Sequence, residues 1–67
     1  MDFKLNKEFI ELDNLIKVLG IAESGSQAKW VISSGKVLVN GEIENRIRRK
    51  LKAGDVVVIE GKEIRIC

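Results

Sequence analysis

The spacing of the apolar residues changes at Gly35, from a helical repeat to an extended, strand-like pattern. Before Gly35, two groups recur at intervals of three and four, namely Leu12, Leu15, Ile16 and Leu19, followed by Ala28, Val31 and Ile32. After it, Asn40-Gly41 separates two extended arms, which is the strongest short-range signal for a β-hairpin. The chain therefore places helices before strands, which is a pattern of α+β domains.

Two short helices are predicted before this change. The first covers ELDNLIKVLG, with Gly20 just past its end in the C′ position. The second covers ESGSQAKWVISSG, where Ser24 and Gln27 form a capping-box pattern and Gly35 ends the helix. Because about four residues separate them, the two helices should pack against each other.

The remainder of the chain predicts a small β-sheet. Its first hairpin turns at Asn40-Gly41 and its second near Glu60-Gly61, while NRIRRKLKAG between them should become extended only near its end. A short strand is also expected between Phe3 and Ile10. The predicted fold is therefore α+β, with two packed N-terminal helices followed by a mostly antiparallel sheet of two hairpins.

The length of 67 residues predicts a single domain, residues 1–67, that is held together by an apolar core. With one cysteine, Cys67, and no histidine, the chain has neither an internal disulfide nor a cysteine–histidine zinc site. No apolar run approaches the roughly 20 residues of a membrane span, and the N-terminus is unlike a signal peptide. We therefore expect a monomeric cytoplasmic protein without a cofactor, a metal or a membrane partner.

Basic residues are concentrated in the middle of the chain. Residues 24–52 hold seven bases and two acids, for a charge of +5, whereas the flanks carry −2 and −1. The densest run is NRIRRKLK, in which Ile47 and Leu51 can anchor the segment and the bases are Arg46, Arg48, Arg49, Lys50 and Lys52. Arginine forks suit phosphate groups, so the run predicts a polyanion-binding surface, with a solvated loop as the alternative.

Catalytic residues are scarce in this sequence. Histidine and tyrosine are absent, so the serines have no evident base to activate them. Glu42 and Glu44 are two residues apart on one hairpin arm and should share a face, where we expect a solvated sheet edge. The composition therefore argues against an enzyme.

Trp30 lies on the helical face opposite Ala28, Val31 and Ile32. It is a candidate stacking platform for an unpaired base beside Lys29. It is also a candidate structural lid over a small apolar patch, which is the role we favour. We expect a mixed role, with one edge of the indole packed on the N-terminal segment and the other exposed near Lys29.

The segment from about residue 12 to residue 59 resembles the S4 domain, the RNA-binding domain named after small-subunit ribosomal protein four. The resemblance is carried by the LD..L opening of the first helix, the GIAES...A entry to the second, the G.VLVNG hairpin and KLKAGDVVVI. Details such as SGSQAKW and NGEIENRIRRKL are similar to the small stand-alone bacterial members of the family.

This resemblance implies binding of structured RNA, ribosomal or transfer, by the second helix, the following hairpin and the basic run. No catalytic domain is attached, so the resemblance implies a binder without enzymatic activity. Carried over by position, the implied RNA-binding residues, with Asn40 chiefly a turn former, are Gln27, Lys29, Lys36, Asn40, Arg46, Arg48, Arg49 and Lys50.

Two other functions fit parts of the sequence. A protein-interaction module acting on the ribosome would use Trp30 as its anchor and would show little salt dependence. A ubiquitin-like sulfur carrier has a similar length and an AGDVVVI-like strand, but such carriers end in Gly-Gly, whereas this chain ends in IRIC.

Overall fold

The computed structural model describes residues 1–67 and contains two helices and seven strands. The helices are α1 (Leu12–Val18) and α2 (Gly25–Ser33). The strands are β1 (Asp2–Phe3), β2 (Ile10–Glu11), β3 (Val37–Val39), β4 (Glu42–Ile43), β5 (Lys50–Leu51), β6 (Val56–Ile59) and β7 (Lys62–Ile66).

Both predicted helices are confirmed, and each ends as its sequence indicates. After α1, the N–H groups of Gly20 and Ile21 donate to the carbonyls of Lys17 and Ile16, which together make a Schellman motif with Gly20 at φ +76°. At the start of α2, the Ser24 hydroxyl accepts from the Gln27 N–H at 3.2 Å. Local capping chemistry thus sets the limits of both helices.

The predicted order of elements is wrong, because β1 and β2 precede both helices. The sheet is also more than two hairpins. Five strands form a mixed sheet in the order β1-β7-β6-β3-β4, in which β1 pairs with β7 in parallel, while β2 and β5 form a separate antiparallel pair. Strands of two residues are too short to show alternation, and their partners lie far away in sequence, so local patterns cannot reveal them.

The two predicted hairpin turns are confirmed. Asn40 and Gly41 have φ of +52° and +86°, and Glu60 and Gly61 have φ of +50° and +83°. Positive φ at both central residues is the geometry of type I′ turns, whose twist matches that of the flanking strands. The turns fix the register of β3 against β4 and of β6 against β7.

One apolar core of 15 buried residues joins the helices to the inner face of the sheet. It includes Leu15 and Ile16 from α1, Ile32 from α2, and Val57 and Ile59 from β6. Leu51 also belongs to this core, which attaches the basic part of the chain to the rest of the fold. Neither helix has the length and apolar character needed to cross a bilayer.

Candidate nucleic-acid interface

Residues 46–52, which we call the basic loop, are held by backbone bonds on one side and by the core on the other. The carbonyls of Arg49 and Ile47 accept from the N–H groups of Leu12 and Asp13, at 2.9 and 3.1 Å. Leu51 is fully buried and Ile47 packs against the core, so both predicted anchors are confirmed. The β2–β5 pairing fixes the end of the loop by placing Leu51 opposite Ile10. The backbone of the loop is thereby set before any ligand arrives.

The basic loop forms an open depression lined only by basic side chains. Its volume is about 490 Å³, and its lining residues are Arg46, Arg48, Arg49, Lys50 and Lys52. Four of the eight predicted RNA-binding residues are therefore brought together here. A concave surface of this sign is suited to a polyanion, because every side chain that borders it can donate hydrogen bonds to phosphate oxygens.

Glu44, which is only 6% exposed, pairs with two of the side chains that line this depression. Arg46 binds it with a fork, through Nε to Oε2 at 3.0 Å and Nη2 to Oε1 at 3.1 Å. Arg49 donates to Oε1 from Nη1. The prediction that Glu44 belongs to a solvated sheet edge is wrong. The strand β4 ends at Ile43, so Glu44 does not follow the alternation of strand side chains that would place it on the same exposed face as Glu42.

These contacts change the acidity of the groups involved. The hydrogen bond from the Arg46 side chain, helped by the Arg46 N–H and by Arg49, lowers the pKa of Glu44 to about 2 against the opposing effect of burial. The same hydrogen bond raises the pKa of Arg46 above its ordinary value. Glu44 and Arg46 therefore both stay charged at neutral pH, and the ion pair between them persists.

Lys50 is restrained in a different way. Its Nζ lies 4.9 Å from the centroid of the Phe9 ring, within the range of a cation–π contact. Its backbone pairs with Glu11 across the β2–β5 ladder. The aromatic ring thus supports the stem of Lys50 while the side chain remains exposed at the depression.

Asn40 lies beside the basic loop and is held by hydrogen bonds of its own. Its Nδ2 donates to Asp55 at 3.1 Å, and its Oδ1 accepts from the Val56 N–H at 2.9 Å. Burial is the largest influence on Asp55 and raises its pKa, but hydrogen bonds from the Lys52 N–H and Asn40 leave that pKa below its ordinary value. A smaller depression contains Asn40 together with Arg46 and Arg49, so the turn borders the basic surface.

The predicted residues Gln27 and Lys29 of α2, and Lys36 just before β3, lie outside both depressions. Lys29 and Lys36 are exposed, and the Lys36 carbonyl accepts from the Glu60 N–H. The Gln27 side chain is engaged in the helix cap, where Oε1 accepts from the Glu23 N–H at 2.7 Å.

Trp30 is 67% exposed, so most of its surface is open to solvent. It borders a shallow depression with Gln27, Val31, Ile21 and Glu60, and no residue of the N-terminal segment contributes to that depression. The expectation that the indole packs on the N-terminal segment is therefore wrong. The helix turns this face away from α1 because Ala28, Val31 and Ile32 take the buried side.

The sequence interpretation omitted two residues from this site. Lys52 was part of the basic run but not of the implied RNA-binding set, although Lys50 and Lys52 flank the buried Leu51 and so share a strand face. Glu44 was assigned to solvent. The sequence shows that Glu44 lies two residues before Arg46 and five before Arg49. It does not show that Glu44 is buried, and only the burial makes this spacing informative.

Comparison with known proteins agrees with the resemblance read from the sequence. The family model of the S4 domain matches residues 3–67. The probable ribosome maturation protein RlbA of Bacillus subtilis is 47% identical over 57 residues, which are 85% of this chain and 80% of that protein. The putative RNA-binding protein YbcJ of Escherichia coli is 42% identical over 65 residues, covering 96% of this chain and 93% of YbcJ.

Solved structures give the same result. The solution structure of Escherichia coli YbcJ, described as revealing an alfaL motif involved in RNA-binding, superposes with a TM-score of 0.71 at 41% identity. That match covers 97% of this chain and 84% of YbcJ. A ribosomal protein S4e from Thermoplasma acidophilum shares the fold, with a TM-score of 0.73 at 21% identity over 90% of this chain and 32% of that one. The chain therefore belongs to the S4 domain family.

Proposed function

We propose that this protein binds structured RNA, ribosomal or transfer, without modifying it, and that residues 1–67 act as one binding unit in the cytoplasm. The observation that carries the proposal is the depression lined by five basic side chains on a backbone frame fixed from several sides. The names of the relatives support it, since YbcJ is called a putative RNA-binding protein and RlbA a probable ribosome maturation protein.

The proposed contacts are mainly to the RNA backbone. Arg48, Lys50 and Lys52 are exposed and take part in no ion pair, so their charges are free for phosphates. Arg46 and Arg49 keep N–H groups beyond those given to Glu44. Asn40 borders the same surface. A larger RNA would also reach Gln27 and Lys29 on α2 and Lys36, which precedes β3. Folded RNA is the favoured ligand because the deep groove of an A-form helix excludes side chains, which leaves shape and backbone to be read.

The test is a salt titration of binding to a synthetic RNA hairpin. The double variant Arg48→Ala/Lys52→Ala should weaken binding and reduce the slope of log K against log salt by about 1.5–2 units, because each lost phosphate contact removes nearly one. Lys4→Ala/Lys62→Ala is the matched control, since it removes the same charge at exposed positions outside the depression. The proposal is wrong if both double variants change the slope equally, or if duplex DNA of equal length binds as tightly as the hairpin.

A second candidate, a protein-interaction module on the ribosome, is favoured by one observation. Trp30 and Ile43 are large apolar side chains that are 67% and 61% exposed. Aromatic residues are common anchors of protein interfaces, and binding through them depends little on salt. If the protein binds ribosomal particles stripped of accessible RNA with a flat salt dependence, this second function replaces the first.

A further inference from the structure

Glu44 is the only buried charged residue of the chain, and its carboxylate pairs with Arg46 and Arg49, two of the five side chains that line the basic depression. A carboxylate in such a place lowers the positive charge that RNA would meet. A surface built only for long-range attraction would have a neutral residue here. The position of Glu44 therefore calls for a different physical role.

The geometry of the contacts defines that role. The two oxygens of Glu44 accept from Nε and Nη2 of Arg46, from the Arg46 backbone N–H at 3.0 Å, and from Nη1 of Arg49. Four donors fill the roughly four lone-pair sites of a carboxylate. The three side-chain contacts each fix a part of a guanidinium group that would otherwise rotate freely in solvent.

The outer side of each guanidinium remains available. Arg46 uses two of its five N–H donors on Glu44, and its side chain is 70% exposed. Arg49 uses one, and its side chain is 29% exposed. Both groups border the basic depression, so their unused donors are accessible from the side that a phosphate would approach.

We propose that Glu44 is a positioning residue for RNA binding, which holds Arg46 and Arg49 in the orientation in which their free N–H groups meet phosphate oxygens. This inference rests on the proposed function. Long side chains lose rotamer freedom when they bind, and fixing them beforehand removes that cost from the binding step. Glu44 thus lowers the net charge of the surface and raises its affinity.

The substitution Glu44→Gln separates charge from positioning, because the two make opposite predictions. It keeps the shape of the side chain and raises the net charge of the protein by one. Attraction alone would then strengthen binding to any polyanion. Positioning predicts about tenfold weaker binding to an RNA hairpin, from the renewed mobility of two arginines. Glu42→Gln is the matched control, since it adds the same charge at an exposed position outside any ion pair.

Binding of a synthetic RNA hairpin to the wild-type protein and both variants is measured by fluorescence anisotropy at one salt concentration. Circular dichroism at the same temperature establishes the folded fraction. Glu44→Gln should bind about tenfold more weakly than Glu42→Gln per folded molecule. If folded Glu44→Gln binds the hairpin as tightly as Glu42→Gln or more tightly, the inference about Glu44 is wrong. The proposed function is then still supported, provided that the wild-type protein binds the hairpin. If the wild-type protein does not bind the hairpin, both fall.

A measurement on the wild-type protein decides the matter if Glu44→Gln does not fold. The Nε–H of Arg46 is hydrogen-bonded to Glu44 and should give a protected nuclear magnetic resonance signal at mildly acidic pH. Positioning requires this signal to persist when the RNA hairpin is added. If RNA instead pulls Arg46 away, the Nε–H loses its protection, and Glu44 is a competitor of the RNA and not a positioning residue.

Discussion

At the scale of single residues, Trp30 combines a large apolar surface with an exposed position. The neighbours that share its depression, Ile21 and Glu60, cover little of it, since the residue is 67% exposed. An exposed indole on the helix that carries Lys29 is suited to stacking against an unpaired base, because every base offers a π face. Its contribution to folding should be small, because substitutions at exposed positions usually change stability by no more than about 0.5 kcal/mol.

We therefore expect Trp30→Ala to change the urea midpoint of unfolding very little and to weaken RNA-hairpin binding by about 1–3 kcal/mol. Trp30→Phe should retain most of the affinity, because it retains a ring. Ile43→Ala is the control, as it removes another exposed apolar side chain outside α2. If Trp30→Ala binds the hairpin as wild type does, the indole makes no contact with RNA.

At the scale of elements, the basic loop serves as the cap of a helix. The first two N–H groups of α1, at Leu12 and Asp13, have no partners within the helix and donate to carbonyls of Arg49 and Ile47. These bonds fix the backbone of the basic loop, and they supply acceptors for the first two N–H groups of α1. Movement of the loop would thus expose the helix end, which couples the order of the interface to the order of α1.

This coupling predicts slow hydrogen exchange at Leu12 and Asp13, measured by nuclear magnetic resonance. The equivalent first-turn amides of α2, at Gly25 and Ser26, donate to no protein group and should exchange much faster. The comparison is internal, because both pairs occupy the same positions of their helices. Equal exchange rates at the two helix ends would show that the basic loop is not held by α1.

The elements that the sequence predicted are those whose signals are local. Gly20 and Ser24 mark helix ends, and Asn40-Gly41 marks a turn, through backbone geometry that few other residues allow. The strands β1, β2 and β5 have two residues each and are stabilised by distant partners. Their own sequence indicates only a strand somewhere between Phe3 and Ile10 and an extended end of NRIRRKLKAG. Neither the limits of these strands nor their partners could be predicted, which is why the predicted order was wrong.

The same distinction, between local sequence signals and contacts made only in the folded chain, applies to the candidate site. A run of basic residues without acidic ones can be recognised directly in the sequence. That run alone predicts that the basic loop binds a polyanion. The role of Glu44 depends on the end of β4 at Ile43, on its burial and on its contacts with Arg46 and Arg49, which are properties of the folded chain. Two acids two residues apart look equivalent until one of them is buried.

At the scale of the whole molecule, Glu44 links stability to pH. Its pKa is about 2 in the folded protein and about 4.5 as an isolated group, so the folded state favours the ionised form. The stabilisation is complete above about pH 5 and is lost as the pH falls toward 2, because the unfolded chain then takes up the proton first. Asp55, whose pKa is also lowered, contributes with the same sign.

We expect the wild-type protein to lose on the order of 1–3 kcal/mol of unfolding free energy from Glu44 over that interval. We would measure urea unfolding of the wild-type protein and of Glu44→Gln from neutral pH to about pH 2. The difference between the two proteins gives the contribution of Glu44 to the free energy of unfolding, because both proteins contain all the other carboxylates. The difference in stability between the two proteins should shrink as the pH falls. Parallel curves would contradict the ion-paired state of Glu44.

Because β1 pairs in parallel with β7, the sheet can be completed only after the C-terminal strand has been synthesised. Contacts such as that between the Met1 amino group and the Glu63 carbonyl span 62 residues, nearly the length of the domain. Among the strands of the domain, β1 is synthesised first, yet its partner β7 is synthesised last. Until then β1 has no partner, and β6 lacks one of its two neighbours. Closing so long a loop is a late and comparatively slow event, so a growing chain acquires its complete sheet only in one final, cooperative step.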